Sequence, residues 1–249
     1  MQQPSPNALY DDPELAQFYD ARGAARPDFD YCRTLARDAA SVLDLGCGTG
    51  ELAASLAAGR AVTGIDPAGA MIDIAHERAG GDKVTWVEAD ARTVRLGKRF
   101  DLVMLTGHSF QVFLTSDDQA AVLATIAAHL APGGRFIFDT RNPAYPARKT
   151  RSADETRRQF RHPRLGTVEA WNESTYDDET GVLSYENAYR VLDTGDVFSA
   201  TAQIRYTPLP DLADMVTDAG LAVEDWLGDW TGRQFQPTSP EIIPLGRLA

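Results

Sequence analysis

The chain has 249 residues, 43% of them hydrophobic, which accommodates one large domain or one domain carrying a sizeable insertion. A formal net charge of -12 disfavours general affinity for nucleic-acid phosphates or anionic membranes. Two cysteines (Cys32 and Cys47) outside any CxxC pair, and four scattered histidines (His76, His108, His129 and His162), give no basis for a disulfide framework or a metal site. The start, MQQPSPNALYDD, lacks a basic segment followed by an apolar run, and no apolar run approaches the ~20 residues that span a bilayer. A soluble cytoplasmic protein is expected.

Asp12 as N-cap and Pro13 as first helical residue open a helix whose Leu15, Phe18 and Tyr19 share one face. From about residue 41 strand-like and helical stretches alternate. The strands are Ser41–Leu45, Ala61–Asp66, Val84–Val87, Phe100–Thr106 and Arg135–Asp139. Between them Glu51–Ala58, Pro67–Arg78 and Gln119–Leu130 carry helical spacing. Ser116 followed by Gln119 reads as a capping-box start, and Pro132-Gly133-Gly134 as the stop of that last helix. Such alternation predicts an α/β fold, a doubly wound, mostly parallel sheet with helices on both faces.

The pattern then changes. Thr167–Tyr176, Val182–Leu192 and Val197–Tyr206 are strand-like and joined by turn signals, so an antiparallel meander is inserted after the fifth strand. A helix returns at Leu209–Ala219 with Gly220 as C-cap, and strands near Ala222–Trp226 and Ile242–Arg247 follow. The expected domains are an N-terminal helical lid over 1–40, a core of 41–140 with 207–249, and an inserted β subdomain over 141–206 suited to binding an acceptor.

The chemistry starts at VLDLGCGTG, Val42 to Gly50. Glycines 46, 48 and 50 follow a strand and precede a helix, which frees the backbone to turn sharply and approach a ligand. A nicotinamide-type dinucleotide loop would read GxGxxG; the GxGxG spacing counts against that reading. Asp44, two residues before the first glycine, suits a cationic or hydrogen-bond-donating ligand better than a pyrophosphate.

In this stretch the sequence resembles the class I methyltransferases that use S-adenosylmethionine. The resemblance runs over nearly the whole chain, through VLDLGCGTG, GIDPAGAMIDIA, WVEADART, FDLVMLTGHSF, LAPGGRFIFDT and YTPLPDLADMVTDAGLAVEDWLGDW in order. It implies a Rossmann-like, seven-stranded sheet whose last two strands form an antiparallel hairpin at the edge. It also implies S-adenosylmethionine as cofactor and S-adenosylhomocysteine as product. Asp44, Gly46, Cys47, Gly48 and Gly50 would line the methionine and ribose portion, and Asp66, beside Pro67, would hold the ribose hydroxyls. Met71, Asp90 and Ala91 would meet the adenine, with Thr106 and Gly107 at the strand end facing the methyl group. Each has a plainer reading: Asp66 as a helix cap before Pro67, Met71 as core, Asp90 as a turn aspartate, Cys47 as a small packing residue.

Methyl transfer from a sulfonium is an in-line displacement, and a base is needed only when the acceptor arrives protonated. His108, directly after Thr106-Gly107, is the candidate base; its rival role is to orient the acceptor. Ser109 and Phe110 are expected in the same pocket, and Gln111 there or facing solvent. Tyr10 and Tyr19 are candidate lid residues or a hydrophobic staple. Trp171, with Tyr176, Tyr185 and Tyr189, offers either an acceptor pocket or the core of a small sheet. Arg141, Arg148, Lys149, Arg151, Arg157, Arg158, Arg161 and Arg164 make a basic stretch. It reads as a solvated face, or as a clamp for an anionic group on the acceptor, ahead of a nucleic-acid patch. The expected function is methylation of a small molecule, the acceptor being the expected partner. The alternatives are an RNA-modifying methyltransferase and a cofactor-binding protein without catalysis.

Overall fold

A computed structural model describes residues 8–22, 25–147 and 149–249. The chain divides into two units, Met1–Ala25 with Ala147–Arg205, and Arg26–Pro146 with Tyr206–Ala249.

The smaller unit begins with α1 (Ala8–Asp11) and α2 (Pro13–Ala16). Asp12 caps α2 by accepting from the Glu14 amide at 2.9 Å, and Pro13 sits inside the cap. The helix ends at Ala16, so Phe18 and Tyr19 lie beyond it rather than along its face. Tertiary packing overrides the helical pattern here: Phe18 is fully buried and stacks on Tyr189 at 4.3 Å.

In the larger unit α3 (Pro27–Leu35) precedes the alternating region. Its Phe29 and Cys32, with Ala36 beyond it, join a core with Val42, Leu52, Leu56 and Leu102, so these residues belong to the larger unit and not to an N-terminal segment 1–40. There follow β1 (Ser41–Leu45), α4 (Glu51–Leu56), β2 (Ala61–Asp66), α5 (Gly69–Glu77), β3 (Val84–Glu88), β4 (Phe100–Leu105), α6 (Ser116–His129), β5 (Leu130–Phe138) and β6 (Thr140–Arg141). The cap of α6 is Thr115, whose hydroxyl accepts from the Asp118 amide at 3.1 Å. That is one residue before the expected Ser116, because the extended backbone a cap needs occurs at Thr115. Gln119 turns inward instead and donates to the Phe113 carbonyl and to Thr207. Pro132-Gly133-Gly134 lies inside β5, where the register with β4 shifts, rather than ending the helix.

The chain returns to the smaller unit with α7 (Ala153–Thr156), β7 (Arg158–His162), β8 (Gly166–Asp177), β9 (Val182–Val191) and β10 (Val197–Arg205). These strands form an antiparallel sheet in the order β10-β9-β8-β7. β7, reading RQFRH, has no apolar alternation to announce it; it is an edge strand, where charged residues are tolerated and useful. Val168, Ala170, Tyr189 and Val191 pack with Leu9, Leu15 and Phe18 in this unit's core.

Finally α8 (Leu209–Asp218), β11 (Leu221–Leu227) and β12 (Glu241–Leu248) complete the larger unit. Its sheet runs β11-β12-β5-β4-β1-β2-β3, with β6 also paired to β12. Strands β3, β2, β1, β4 and β5 are parallel, and β12 is antiparallel to both neighbours. This is the Rossmann-like arrangement expected, with β6 as an additional short strand. Alternate strand residues enter two cores. Leu43, Val103 and Phe136 meet α6 and α8 on one face, while Val42, Leu102 and Ile137 meet α3 and α4 on the other. Among the described residues no helix is long and apolar enough to cross a membrane.

Candidate active site

The parallel strands β1, β2, β4 and β5 end along one edge of the sheet, the edge where ligands sit in such folds. Gly46, Gly48 and Gly50 follow β1 with φ of +65°, +53° and +76°, conformations that exclude most side chains. Part of the space they leave is taken by the protein itself. A Cβ on Gly50 would lie 2.4 Å from the Trp86 ring and 2.7 Å from Ala75, and one on Gly46 would meet Ser109 at 3.1 Å. Gly50 therefore serves strand-to-helix packing first. Cys47 donates its amide to Ile65, and burial pushes its thiol well above the usual range, which suits a packing role.

Asp66, at the end of β2, is buried and uses both oxygens: one accepts from the Gly48 amide at 2.8 Å, the other from Ala68 at 3.0 Å. It thereby ties the glycine loop to the turn before α5, whose N-cap is Ala68 rather than Asp66. Pro67 is exposed and Met71 is buried. Asp90 is gripped by Arg92, at 2.6 Å for the shortest contact, and Arg92 also reaches Asp118 at 2.8 Å. The Arg92 hydrogen bonds hold the Asp90 carboxyl below its usual range. Ala91 is buried in the core.

Asp44 is fully enclosed on β1. Burial, then the charge of Asp66, push its carboxyl up to about 7; Arg26 opposes this and Asp28 adds to it. Arg26 pairs with buried Asp28 at 2.7 Å and lies over the Phe29 ring. Because the Asp44 pKa is raised on folding, the folded chain holds an extra proton between about pH 4 and pH 7. The stability it contributes is present at the low end of that window and lost as pH rises through it. Asp44→Asn should therefore gain melting temperature relative to the parent as pH rises from about 5 to 8 in the ligand-free protein. A difference that stays flat with pH would reject the buried, titrating Asp44.

His108 follows β4 with φ +63°, the one non-glycine with positive φ among the described residues. Its amide donates to Asp139 Oδ1 at 3.0 Å. Its Nε2 lies 2.9 and 3.0 Å from the two Glu241 oxygens and 3.4 Å from Asp139 Oδ2. Asp139, 1% exposed, follows β5, and Oδ2 accepts no hydrogen bond; burial raises its carboxyl, with His108 opposing. Glu241 opens β12, which the register Glu241↔Arg141 brings to this edge. Beside them Thr106 is buried and its carbonyl accepts from the Ser109 hydroxyl at 2.8 Å, and Gly107 has φ +70°.

Two expectations change. Phe110 has no exposed surface and packs on Phe138 at 4.7 Å, so it is core and not pocket lining. Gln111 is equally buried and accepts from the Arg141 guanidinium at 3.0 Å, which fixes that arginine near the β6 end instead of leaving Gln111 in solvent. Both residues follow a strand end, and nothing local distinguishes inward from outward there. Reasoning from sequence missed Arg26, Asp28, Asp139 and Glu241. Asp139 had a signal, a carboxylate closing the fifth strand; Glu241 had none.

Tyr10, Tyr19 and Trp171 belong to the smaller unit, where each has partners. The Tyr10 and Tyr185 hydroxyls are 3.2 Å apart, and the Tyr10 and Tyr19 rings meet edge-on at 6.4 Å. Arg157 and Arg190 lie over the Trp171 ring at 4.9 and 5.4 Å and both pair with Glu169. Tyr189 is core. In the basic stretch Arg157 also faces Asp154, Arg161 donates to Thr167, Arg164 to Gln17, and Lys149 lies over Tyr176. Arg148 lies outside the described residues.

A model of the family described as a methyltransferase domain matches residues 42–134. A cypemycin N-terminal methyltransferase from Streptomyces is 27% identical over 83% of this chain and 82% of its own. The solved structure of S-adenosylmethionine-bound CalS10, an amino pentose methyltransferase from Micromonospora echinaspora, superposes with a TM-score of 0.71 at 26% identity, covering 92% of this chain and 94% of that one. A ubiquinone biosynthesis O-methyltransferase from Methylobacterium nodulans is 32% identical over 77% of this chain and 74% of its own, and with that likeness the chain belongs to the small-molecule methyltransferases of the class I, S-adenosylmethionine-dependent kind.

Proposed function

We propose that the acceptor atom is the nitrogen of a small amine, which arrives as the ammonium ion and gives a proton to His108 before attacking. The observation that carries this is the acidic wall around the base. Asp139 and Glu241 stand against His108, so an ammonium meets attraction where a carboxylate or phenolate would meet repulsion. Two similar proteins carry names with nitrogen acceptors, the cypemycin N-terminal methyltransferase and a sugar N-methyltransferase from Streptoalloteichus; the ubiquinone-pathway relative is named for oxygen.

For the cofactor, the residues fit the group. Asp44 is a buried carboxylate held up to about 7, and a ligand ammonium there would restore its charge. Gly46, Gly48, Gly50 and Cys47 would offer backbone, Asp66 would accept from the ribose hydroxyls beside Pro67, Met71, Asp90 and Ala91 would take the adenine end, and Thr106 and Gly107 would flank the methyl. When bound, the cofactor supplies a sulfonium methyl group open to in-line attack. A cytoplasmic location is part of the same reading and rests on two free cysteines.

Asp66→Ala should weaken S-adenosylhomocysteine binding by about 1–3 kcal/mol, the cost of losing a charged acceptor. It should also lower the melting temperature, because Gly48 and Ala68 lose their acceptor. Calorimetry that finds unchanged affinity would reduce Asp66 to a tie between turns. The acceptor class is tested by a metabolite panel with methyl-labelled cofactor, read by product mass. Labelled phenols or carboxylic acids with no labelled amine would overturn the nitrogen reading, and labelled RNA alone would move the enzyme to another substrate class.

A further inference from the structure

We propose that Glu241 and Asp139 are positioning residues that fix which nitrogen of His108 is the base. The inference rests on His108 being the base, and goes beyond it by assigning the atom and the groups that set it.

A neutral imidazole carries one proton, and its partner decides which nitrogen holds it. Both Glu241 oxygens lie at hydrogen-bond distance from Nε2, and Asp139 Oδ2 is the next nearest at 3.4 Å. Carboxylates accept, so Nε2 is the donor and Nδ1 keeps the lone pair. Asp139 adds a second hold. Its Oδ1 accepts the His108 amide at 3.0 Å, which stabilises a left-handed backbone that costs a non-glycine residue about 1–2 kcal/mol. Strain of that kind persists only where surroundings over-determine it. A buried carboxylate on the backbone and another on the ring orient Nδ1 from two directions.

The groups around the ring come from three elements. Asp139 leaves β5 and Glu241 opens β12, while Asp28 of α3 acts on Asp139 with Arg26 paired to it. Proton transfer is then balanced as follows. Nδ1 takes one proton from the acceptor ammonium, giving a neutral amine and an imidazolium whose Nε2–H stays on Glu241. The amine lone pair forms the N–C bond as the C–S pair passes to sulfur, and His108 later returns its proton to solvent. Without the carboxylate, Nε2 and Nδ1 share the proton and part of the enzyme presents an N–H where a lone pair is needed.

The test combines 15N-labelled histidine NMR of the resting protein with steady-state kinetics on Glu241→Gln, His108→Asn serving to assign the His108 signals. Wild type should show a protonated Nε2 and an unprotonated Nδ1, and Glu241→Gln a mixture. Turnover at saturating acceptor in Glu241→Gln should fall roughly 10–100-fold, less than the ~10²–10⁴ that a base supplies in total, separately from the rise in acceptor KM that losing one attracting charge brings. A wild-type Nδ1–H tautomer, or a Glu241→Gln variant with parental spectrum and turnover, would overturn the inference while leaving His108 as base. A near-parental His108→Asn would instead remove the base reading itself, and the tautomer measurement would still decide whether the clamp exists. His108, Asp139 and Glu241 also have donor atoms within 4.8 Å of one another. One equivalent of a transition metal in the purified protein, lost in Glu241→Gln, would give the three groups to a metal and overturn the proposal.

Discussion

His108→Asn lowers turnover by ~10²–10⁴-fold, the contribution of a positioned general base, while S-adenosylhomocysteine affinity stays within about twofold. Asn is the substitution of choice because His108 has φ +63°, a conformation that asparagine tolerates and alanine does not. Loss of activity then reports on chemistry rather than on a distorted turn. The residue-108 amide still donates to Asp139 Oδ1, which keeps the turn tied to the end of β5. If His108 only orients the acceptor, the loss falls on KM and turnover at saturation recovers. If cofactor affinity collapses with activity, His108 supports the cofactor half of the site, and the base assignment fails.

Gly50→Ala is expected to cost about 2–5 kcal/mol of folding stability, from two separable sources. A left-handed backbone with a Cβ costs roughly 1–2 kcal/mol, and the new atom overlaps the Trp86 ring at 2.4 Å and Ala75 at 2.7 Å, an overpacking worth about 1–3 kcal/mol. Against a total stability of about 5–15 kcal/mol the variant approaches the folding threshold, visible as a large drop in urea midpoint. Trp86→Leu in the same chain removes the overlapping ring and should recover part of the packing loss, leaving the Ala75 overlap and the backbone part. A single variant within about 0.5 kcal/mol of the parent would show that the loop rearranges freely and that neither source operates.

Much of the larger unit was legible locally. β1 and β2 begin and end where the apolar runs do, because a strand buried on both faces needs an unbroken apolar stretch and the flanking glycines and acids mark its ends. The meander was equally plain from its turn signals, and Asp12-Pro13 marked its cap. Elements that failed this test are those whose stability comes from elsewhere. β7 is held by pairing with β8 rather than by its own pattern, and α3 by burying Phe29 and Cys32 in a core built from distant strands.

The site shows the same division. Glycines with positive φ, Asp44, Asp66 and His108 stand where a strand ends, and that position is written in the chain. Their neighbours are not. Trp86 and Ala75 fill the space that a side chain on Gly50 would take, and Phe110 and Gln111 turned into the core though they stand only two and three residues after His108. Glu241 lies 133 residues from His108 and reaches it through the antiparallel entry of β12 beside β5 and β6. Local sequence determined the alternation of strands and helices and the cofactor loop, because apolar period and backbone φ act over a few residues. Tertiary structure alone decided strand order and the carboxylates around His108, because register between distant segments is set by packing of the whole sheet.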